Sequence, residues 1–407
     1  MAVTTIQTNN KLIQFTRDIN REFVRQNMFS PYMGEGLDAM IRVRNELKSG
    51  GEQMNIPLVT KLNGVGKSTG TLAGSEEKID NYGMRAFVDW LRHAVVTTKS
   101  ETQKDSADIF GEAKPLLSDF NKEKVRDEIL QSFMALPSES APANIGTDEG
   151  QRVNGILFES STAAQKNTFL ADNLDRMLFG QFINNHVSGT VLASFQCAIS
   201  AISGQRMTAT AVQLLKRRAL LCTPKIRPYK TDDGYEFYVL FVGAPVFRDA
   251  KTDATIFQTN RDARPREGRS MDNNPIFQDG DILYDGVIIR QVPEITTFTI
   301  NTWAGTVLTH SSGRVEPVFL CGQQAAVVAY GQMVKPTFRK EDDYGFITGV
   351  GTEACYGTAK MFKKNAMFLP GGTTLNSAAS GNTGGGGLAS LVQWGSVTGF
   401  YYAPLDT

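Results

Sequence analysis

Apolar positions recur at helical spacing in a few separated stretches and at strand spacing through most of the rest. Leu12, Phe15, Ile19 and Phe23 fall on one stripe of 11–27, with Arg17, Arg21 and Arg25 placed elsewhere around it, which predicts an amphipathic helix ended by Ser30-Pro31. Such a terminal helix needs a surface to lie against, its own body or a neighbour. A longer stripe, Leu117, Phe120, Val125, Ile129, Phe133 and Leu136, predicts a helix over 112–136, with Pro115 near its start and Pro137 at its end. Further helices are predicted over 162–182, over 208–221 up to Thr223-Pro224, and over 323–330.

Strand patterns fill the remainder. Met54-Asn55-Ile56-Pro57-Leu58-Val59 reads as extended, as does the run from Met84 to Val96. Between them lies a Gly/Ser-rich stretch, Gly64 to Gly74. Two extended arms around such a middle predict a long hairpin over 49–100. At about 3.3 Å per residue, arms of ~15 to 20 residues would span roughly 50 to 65 Å. An isolated two-stranded hairpin is marginal in water, so its length implies partners. After Ile226 strands dominate: Tyr235–Val242 behind the turn Thr231-Asp232-Asp233-Gly234, then Gly286–Gln291, Glu294–Ile300, Glu316–Leu320, Tyr344–Val350 and Val397–Ala403. The Ser/Gly/Asn-rich stretch 376–387 reads as a loop, and no internal repeat is visible.

Composition narrows the function classes. A chain of 407 residues with 41% hydrophobic content can build a real core, as two or three domains or one elaborated subunit. Lys plus Arg and Asp plus Glu are 42 each, a formal net charge of zero, which argues against a dedicated nucleic-acid binder and is compatible with a protein that associates. Cys197, Cys222, Cys321 and Cys355 are far apart, so free buried thiols are expected. No basic start followed by an apolar run opens the chain, and no run of 18 apolar residues occurs, so neither a secretory signal nor a membrane span is expected and the product is placed in the cytosol when made.

Candidate chemistry is sparse. Gly66-Lys67-Ser68 suggests a phosphate loop, but the required earlier glycine is replaced by Lys61, and 69–74 is a poor helix start. His93, His186 and His310 are isolated, without partners at metal-ligand spacing, and no Gly-x-Ser-x-Gly elbow supports a catalytic triad. No catalytic residue, cofactor or metal site is therefore expected, and the chain does not read as an enzyme. Arg261, Arg264, Arg266 and Arg269 form a local basic run, read as a solvated loop or as a contact to packaged nucleic acid.

Several blocks in order carry a family resemblance. They are Ile56-Pro57-Leu58-Val59, Leu72-Ala73-Gly74-Ser75-Glu76-Glu77, Arg92-His93-Ala94-Val95, Ile226-Arg227-Pro228-Tyr229 with the strand after it, Asn274-Pro275-Ile276-Phe277 through Tyr284-Asp285-Gly286-Val287, and Leu320-Cys321-Gly322-Gln323-Gln324-Ala325. Spanning roughly 50–335, this series resembles the major capsid proteins of tailed bacteriophages in the family typified by coliphage N-four. One departure is Val242-Gly243-Ala244-Pro245, where that family leads one to expect a His before the Pro.

The resemblance implies an α+β fold of the Hong Kong 97 type. It implies an N-terminal arm (1–48), an extended loop formed by the long hairpin (49–100), and a peripheral domain (101–190) whose spine helix is 112–136. A mainly axial domain with interleaved peripheral strands (191–335) and a C-terminal part returning to both (336–407) complete it. It further implies self-assembly into pentamers and hexamers of an icosahedral head around double-stranded DNA, with a portal protein, and with scaffolding or decoration proteins as further partners. An encapsulin-like compartment shell of the same fold, or a nucleotide-binding enzyme using Gly66-Lys67-Ser68, are the rival readings. In the shell reading Ile56, Leu58, Leu72, Phe87 and Trp90 are the hairpin residues expected to become buried between subunits, and Glu76, Glu77, Arg85 and Arg92 offer inter-subunit charges.

Overall fold

The computed structural model describes residues 27–104 (apart from 60, 63, 65, 75, 78 and 80), 109–180, 205–230, 234–263, 281–295, 298–299, 314–339, 343–365 and 390–403. Residues 11–26 of the expected helix, Arg264, Arg266 and Arg269 of the basic run that begins at Arg261, and the loop 376–387 lie outside these residues.

Two sheets share one long helix. The first has the order β1 (Met33–Gly34), β2 (Ile41–Arg44), β13 (Ala326–Arg339), β14 (Ile347–Lys360), β5 (Asp89–Thr98). β13 and β14 are antiparallel over nearly their full length, and β5 lines the far side of β14. The second sheet runs β6 (Met177–Phe179), β17 (Ser396–Ala403), β12 (Arg314–Cys321), β8 (Glu236–Val242), β10 (Val287–Gln291), β9 (Ile282–Tyr284), with β7 (Tyr229–Lys230) and β11 (Phe298–Thr299) pairing β8 and β12. Helix α2 (Ala113–Met134) joins the two, since Val125, Ile129, Leu130 and Phe133 pack against Ala326, Val328, Ala354 and Tyr356 of one and Val239, Phe241 and Phe319 of the other. Phe133 is 1% exposed and sits 5.5 Å from the Phe319 ring.

The second sheet is buried on both faces, which is why β8 reads as an unbroken apolar run. Val239 and Phe241 face α2, whereas Tyr238, Leu240 and Val242 face a helical layer of α4 (Ala209–Leu221), α5 (Ala244–Thr252) and α6 (Ala254–Ala263). Cys222, Cys321 and Cys355 are free and buried, as expected of them.

Several elements depart from the sequence reading. The segment expected as a helix at 323–330 is the start of strand β13. Its residues Ala326 and Val328 face α2 while Val327 and Ala329 face the opposite cluster, so both strand faces are apolar and the local pattern resembles a buried helix. The helix expected over 162–182 stops early: α3 covers Ala163–Asp172, then a tight turn leads into β6. A capping box starts α3, with the Thr162 hydroxyl accepting from Gln165 N at 3.3 Å and Gln165 Oε1 accepting from Thr162 N at 2.9 Å. Thr162→Ala is expected to cost about 1 kcal/mol, read as a lower midpoint in denaturant unfolding of the subunit. Among the described residues no helix is long and apolar enough to cross a membrane.

Candidate assembly surface

The hairpin is present but shorter than its sequence pattern implies. β3 (Gln53–Val59) pairs antiparallel with β4 (Asn81–Phe87), seven residues each, or about 23 Å at ~3.3 Å per residue. What reads as one arm from Met84 to Val96 is two strands. β4 ends at Phe87, and β5 leaves the hairpin to become the edge of the first sheet.

Polar side chains from a distant loop impose this break. Phe87 N donates to Asn154 Oδ1 at 2.8 Å, and Asn154 Nδ2 donates to Phe87 O at 2.9 Å and to Thr358 O at 3.1 Å. Asp89 accepts from the backbone N–H groups of Gly146 and Gln151. Arg152 pairs with Glu128 of α2 at 2.7 Å and donates to Trp90 O at 3.0 Å. On the hairpin's other side the Tyr82 hydroxyl donates to Glu139, just beyond α2. The root is thus held by five residues of 139–154 that are remote in sequence from the strands they fix.

Beyond the root, apolar cover runs out. Ile56 and Leu58 are buried with Met84, Ala86 and Val88 against Val327, Ala329 and Phe362, so they belong to the subunit's own core and are not available to a neighbour. Phe87 is half-buried at the root. By contrast Val59, Leu62, Leu72 and Ile79 stand exposed around the hairpin end, Leu72 by 67%. Glu76 and Glu77 accept the N–H groups of Gly74 and Gly64 at 2.8 and 2.6 Å, which holds the end loop together while leaving their charge at its surface. Gly66-Lys67-Ser68 sits in this loop without a helix after it, so the amide cradle of a phosphate loop is not formed.

The first sheet presents a second bare surface. Paired residues share a face and successive residues alternate. His93 stacks on Phe120 of α2 at 4.5 Å, and Asn121 Nδ2 donates to Thr352 Oγ1 at 2.7 Å, so Leu91, His93 and Val95 look toward α2. Trp90, Arg92, Ala94 and Val96 therefore look away. Their partners on that outer face form rows: Arg92, Glu353 and Lys335; Ala94, Gly351 and Thr337; Val96, Gly349 and Arg339. A side chain at Gly351 would come within 2.8 Å of Thr337 Oγ1, and one at Gly349 within 3.3 Å of Val96, so the middle strand is flat between its neighbours. The hairpin base covers this face at Cys355, yet Trp90 opposite Cys355 is still 50% exposed, and farther out Val96 is 51% exposed, with Met333 and Val334 exposed at the β13 bulge.

Sequence reasoning had named Trp90 and Arg92 on this surface and Leu72, Glu76 and Glu77 on the other; Arg85 is exposed on β4 opposite Asn55. It missed Lys335, Met333 and Val334 because their strand was read as a helix ending at Tyr330. It also missed Asn154, Asp89 and Arg152, whose partners are long-range and leave no local signal. Among the described residues no cluster of His, Cys, Asp and Glu is arranged to hold a metal ion.

A family model described as phage capsid protein matches residues 8–372. No curated protein matches the chain. Among solved structures the chain is similar to the capsid of cyanophage Pam1, at 27% identity and a TM-score of 0.75, with 100% of each chain covered. It shares the fold of the Ralstonia phage GP4 capsid (16% identity, TM-score 0.69, 100% of each chain) and of the Helicobacter pylori bacteriophage KHP30 capsid (11%, 0.62, 98% and 99%).

Proposed function

Because this chain belongs to the phage capsid protein family and is a major capsid protein of the phage head shell, we propose that its mechanism is assembly in the Hong Kong 97 manner, with the hairpin of one subunit laid on the outer sheet face of the next. In this reading α2 is the spine helix of a peripheral domain built with the first sheet. The second sheet with α4, α5 and α6 is the axial domain, and β3, β4 and their connecting loop are the extended loop, which ends at Phe87. Subunits would close into pentamers and hexamers of an icosahedral shell around double-stranded DNA, with a portal at one vertex and scaffolding or decoration proteins as further partners. Synthesis in the host cytoplasm and the absence of any catalytic role belong to the same reading.

The observation that carries it is a pair of unfinished surfaces on one molecule. A two-stranded hairpin projecting Leu62, Leu72 and Ile79 into water is not stable by itself. The outer sheet face offers Trp90, Ala94 and Val96 beside a row of Arg92, Glu353 and Lys335, two cations to one carboxylate, which suits an apolar loop end bearing Glu76 and Glu77. Surface ion pairs contribute at most about 1 kcal/mol each, so the charges set register and the apolar contact supplies strength. Repetition over a closed shell multiplies such weak contacts while each remains reversible.

Val96→Asp tests this surface. The position is half-exposed at an edge strand, so the subunit's melting temperature is expected to stay within about 3 °C. Shell yield, read by sedimentation and negative-stain microscopy, is expected to fall at least about tenfold, because the carboxylate would be desolvated in the contact. Shells at the normal yield would remove the outer face from the contact.

A further inference from the structure

Between α5 and the second sheet lie two carboxyl groups that the assembly reading does not use. Glu316 lies on β12, fully buried, on the face that carries Val318 and Leu320 toward the helical layer. Its carboxyl is set against the start of α5. Val246 N approaches Oε2 at 3.4 Å, and Gly243 leaves room that a side chain there would take from Glu316 Oε1. Asp249, one turn farther along α5, is also buried. Among the described residues, Glu316 Oε1, Asp249 Oδ2 and the hydroxyl of Tyr401 are buried here without a hydrogen-bond partner. Tyr401 is the direct cross-strand partner of Glu316 on β17, so the two side chains share a face. The charged groups around the pair are Arg206, before α4, at 3.9 Å from Asp249 Oδ1, and Arg248, also at 3.9 Å. Arg206 and Arg248 both reach Asp249, whereas among the described residues Glu316 is met by the amides of Gly243, which caps α5, and of Val246.

We propose that the folded subunit keeps a proton on Glu316 beside Asp249, and that losing this proton loosens α5 from the sheet, making the helical layer a pH-responsive element. Protonated, Glu316 brings a donor beside the Asp249 carboxylate, which can only accept. Ionised, it becomes a buried anion next to a second carboxylate, faced among the described residues by two backbone N–H groups and the neutral Tyr401 hydroxyl. Burial, and behind it the charge of Asp249, push the Glu316 carboxyl up to about 8 against the pull of the Gly243 and Val246 amides. Burial likewise raises Asp249, with Arg206 and Arg248 opposing. A raised carboxyl means that the folded state binds the proton more tightly than the unfolded chain. The stability tied to Glu316 is therefore complete below the ordinary value of 4.5 and is lost as pH rises to about 8. A second titration runs the other way. Lys360, buried over the Phe169 ring beside Cys321, is lowered by burial to about 7, so its contribution improves as pH rises above that value. A global melting curve sums the two, and only a reading confined to α5 separates them.

Hydrogen exchange of the full chain, resolved to 244–252 and corrected for the intrinsic rise of exchange with pH, provides that reading. Between pH 6 and pH 9 protection of α5 is expected to drop by at least about tenfold in the natural protein, the equivalent of one pKa unit. Glu316→Gln, which keeps the acceptor and cannot ionise, is expected to abolish the drop. Should that variant not fold, Asp249→Asn removes the neighbouring charge and is expected to move the transition to higher exchange stability at pH 9 while leaving protection at pH 6 in place. Protection of α5 that is equal at pH 6 and 9 in the natural protein, or an undiminished drop in both variants, would overturn the proposal. The test holds whether or not the hairpin contact is right, because it reads the core of one subunit.

Discussion

Removal of residues 60–74 is expected to give a folded subunit that no longer closes shells. The segment lies beyond the paired part of the hairpin, which ends at Val59 on one side and begins again at Asn81 on the other. Its described side chains are exposed, so little of the subunit's own apolar burial is lost with it. Circular dichroism and the melting temperature should remain close to those of the intact chain, because the hairpin root is anchored by Asn154 and the cluster around Met84 rather than by the loop. Size-exclusion chromatography should show monomers or small rings where the intact chain gives shells. Closed shells of normal size from the shortened chain would sink the assembly mechanism. An unfolded product would instead mean that the loop contributes to the subunit's core.

The largest effect on the subunit itself is expected from Phe133→Ala. This ring lies in the core that α2 shares with the sheets, touching Phe29 ahead of β1 and Phe241 and Phe319 of the second sheet with centroid distances of 6.2, 6.5 and 5.5 Å. Truncation leaves a cavity between α2 and the second sheet that neither can collapse to fill, because each is held elsewhere by its own ladder. A cost of about 3–5 kcal/mol follows, measured as a lower denaturation midpoint with an unchanged slope on subunits not yet assembled. Phe133→Leu, which keeps most of the volume, should cost less than half of that. A loss below about 1 kcal/mol for the alanine variant would mean that α2 is not the shared core element.

How far the fold was legible depends on whether an element's signal is local. α2 was readable because Leu117, Val125, Ile129 and Phe133 repeat at helical spacing between a polar start and Pro137. β8 was readable because a turn precedes it and its residues favour strands. β13 was not, since an apolar run buried on both faces has no period to report. α5 has a start signal in Pro245 at its first turn, but its nine residues are too short a stretch to show a helical period beside the apolar run of β8. The break between β4 and β5 depends on Asn154, 67 residues away from Phe87, and no local pattern announces such a partner. The assembly surface was half legible for the same reason. Exposed loop residues such as Leu72, Glu76 and Glu77 stand out in a Gly/Ser-rich stretch, whereas the face that would receive them exists only once β5, β14 and β13 are side by side. Ile56 and Leu58 were assigned to a neighbour because a hairpin pattern shows which positions are apolar, not which body covers them.

The hairpin-on-sheet contact is the central claim, and cysteine pairing between two differently marked chains tests it most directly. One chain carries Leu72→Cys and the other Ala94→Cys, so any disulfide joining them must cross between subunits. The described native cysteines are buried and free, and shells of either marked chain alone provide the background. Co-assembled shells oxidised gently are predicted to yield reductant-sensitive dimers on a denaturing gel, well above both single-chain controls. Intact mixed shells with no such dimer, repeated with Ile79→Cys in place of Leu72→Cys, would contradict the account.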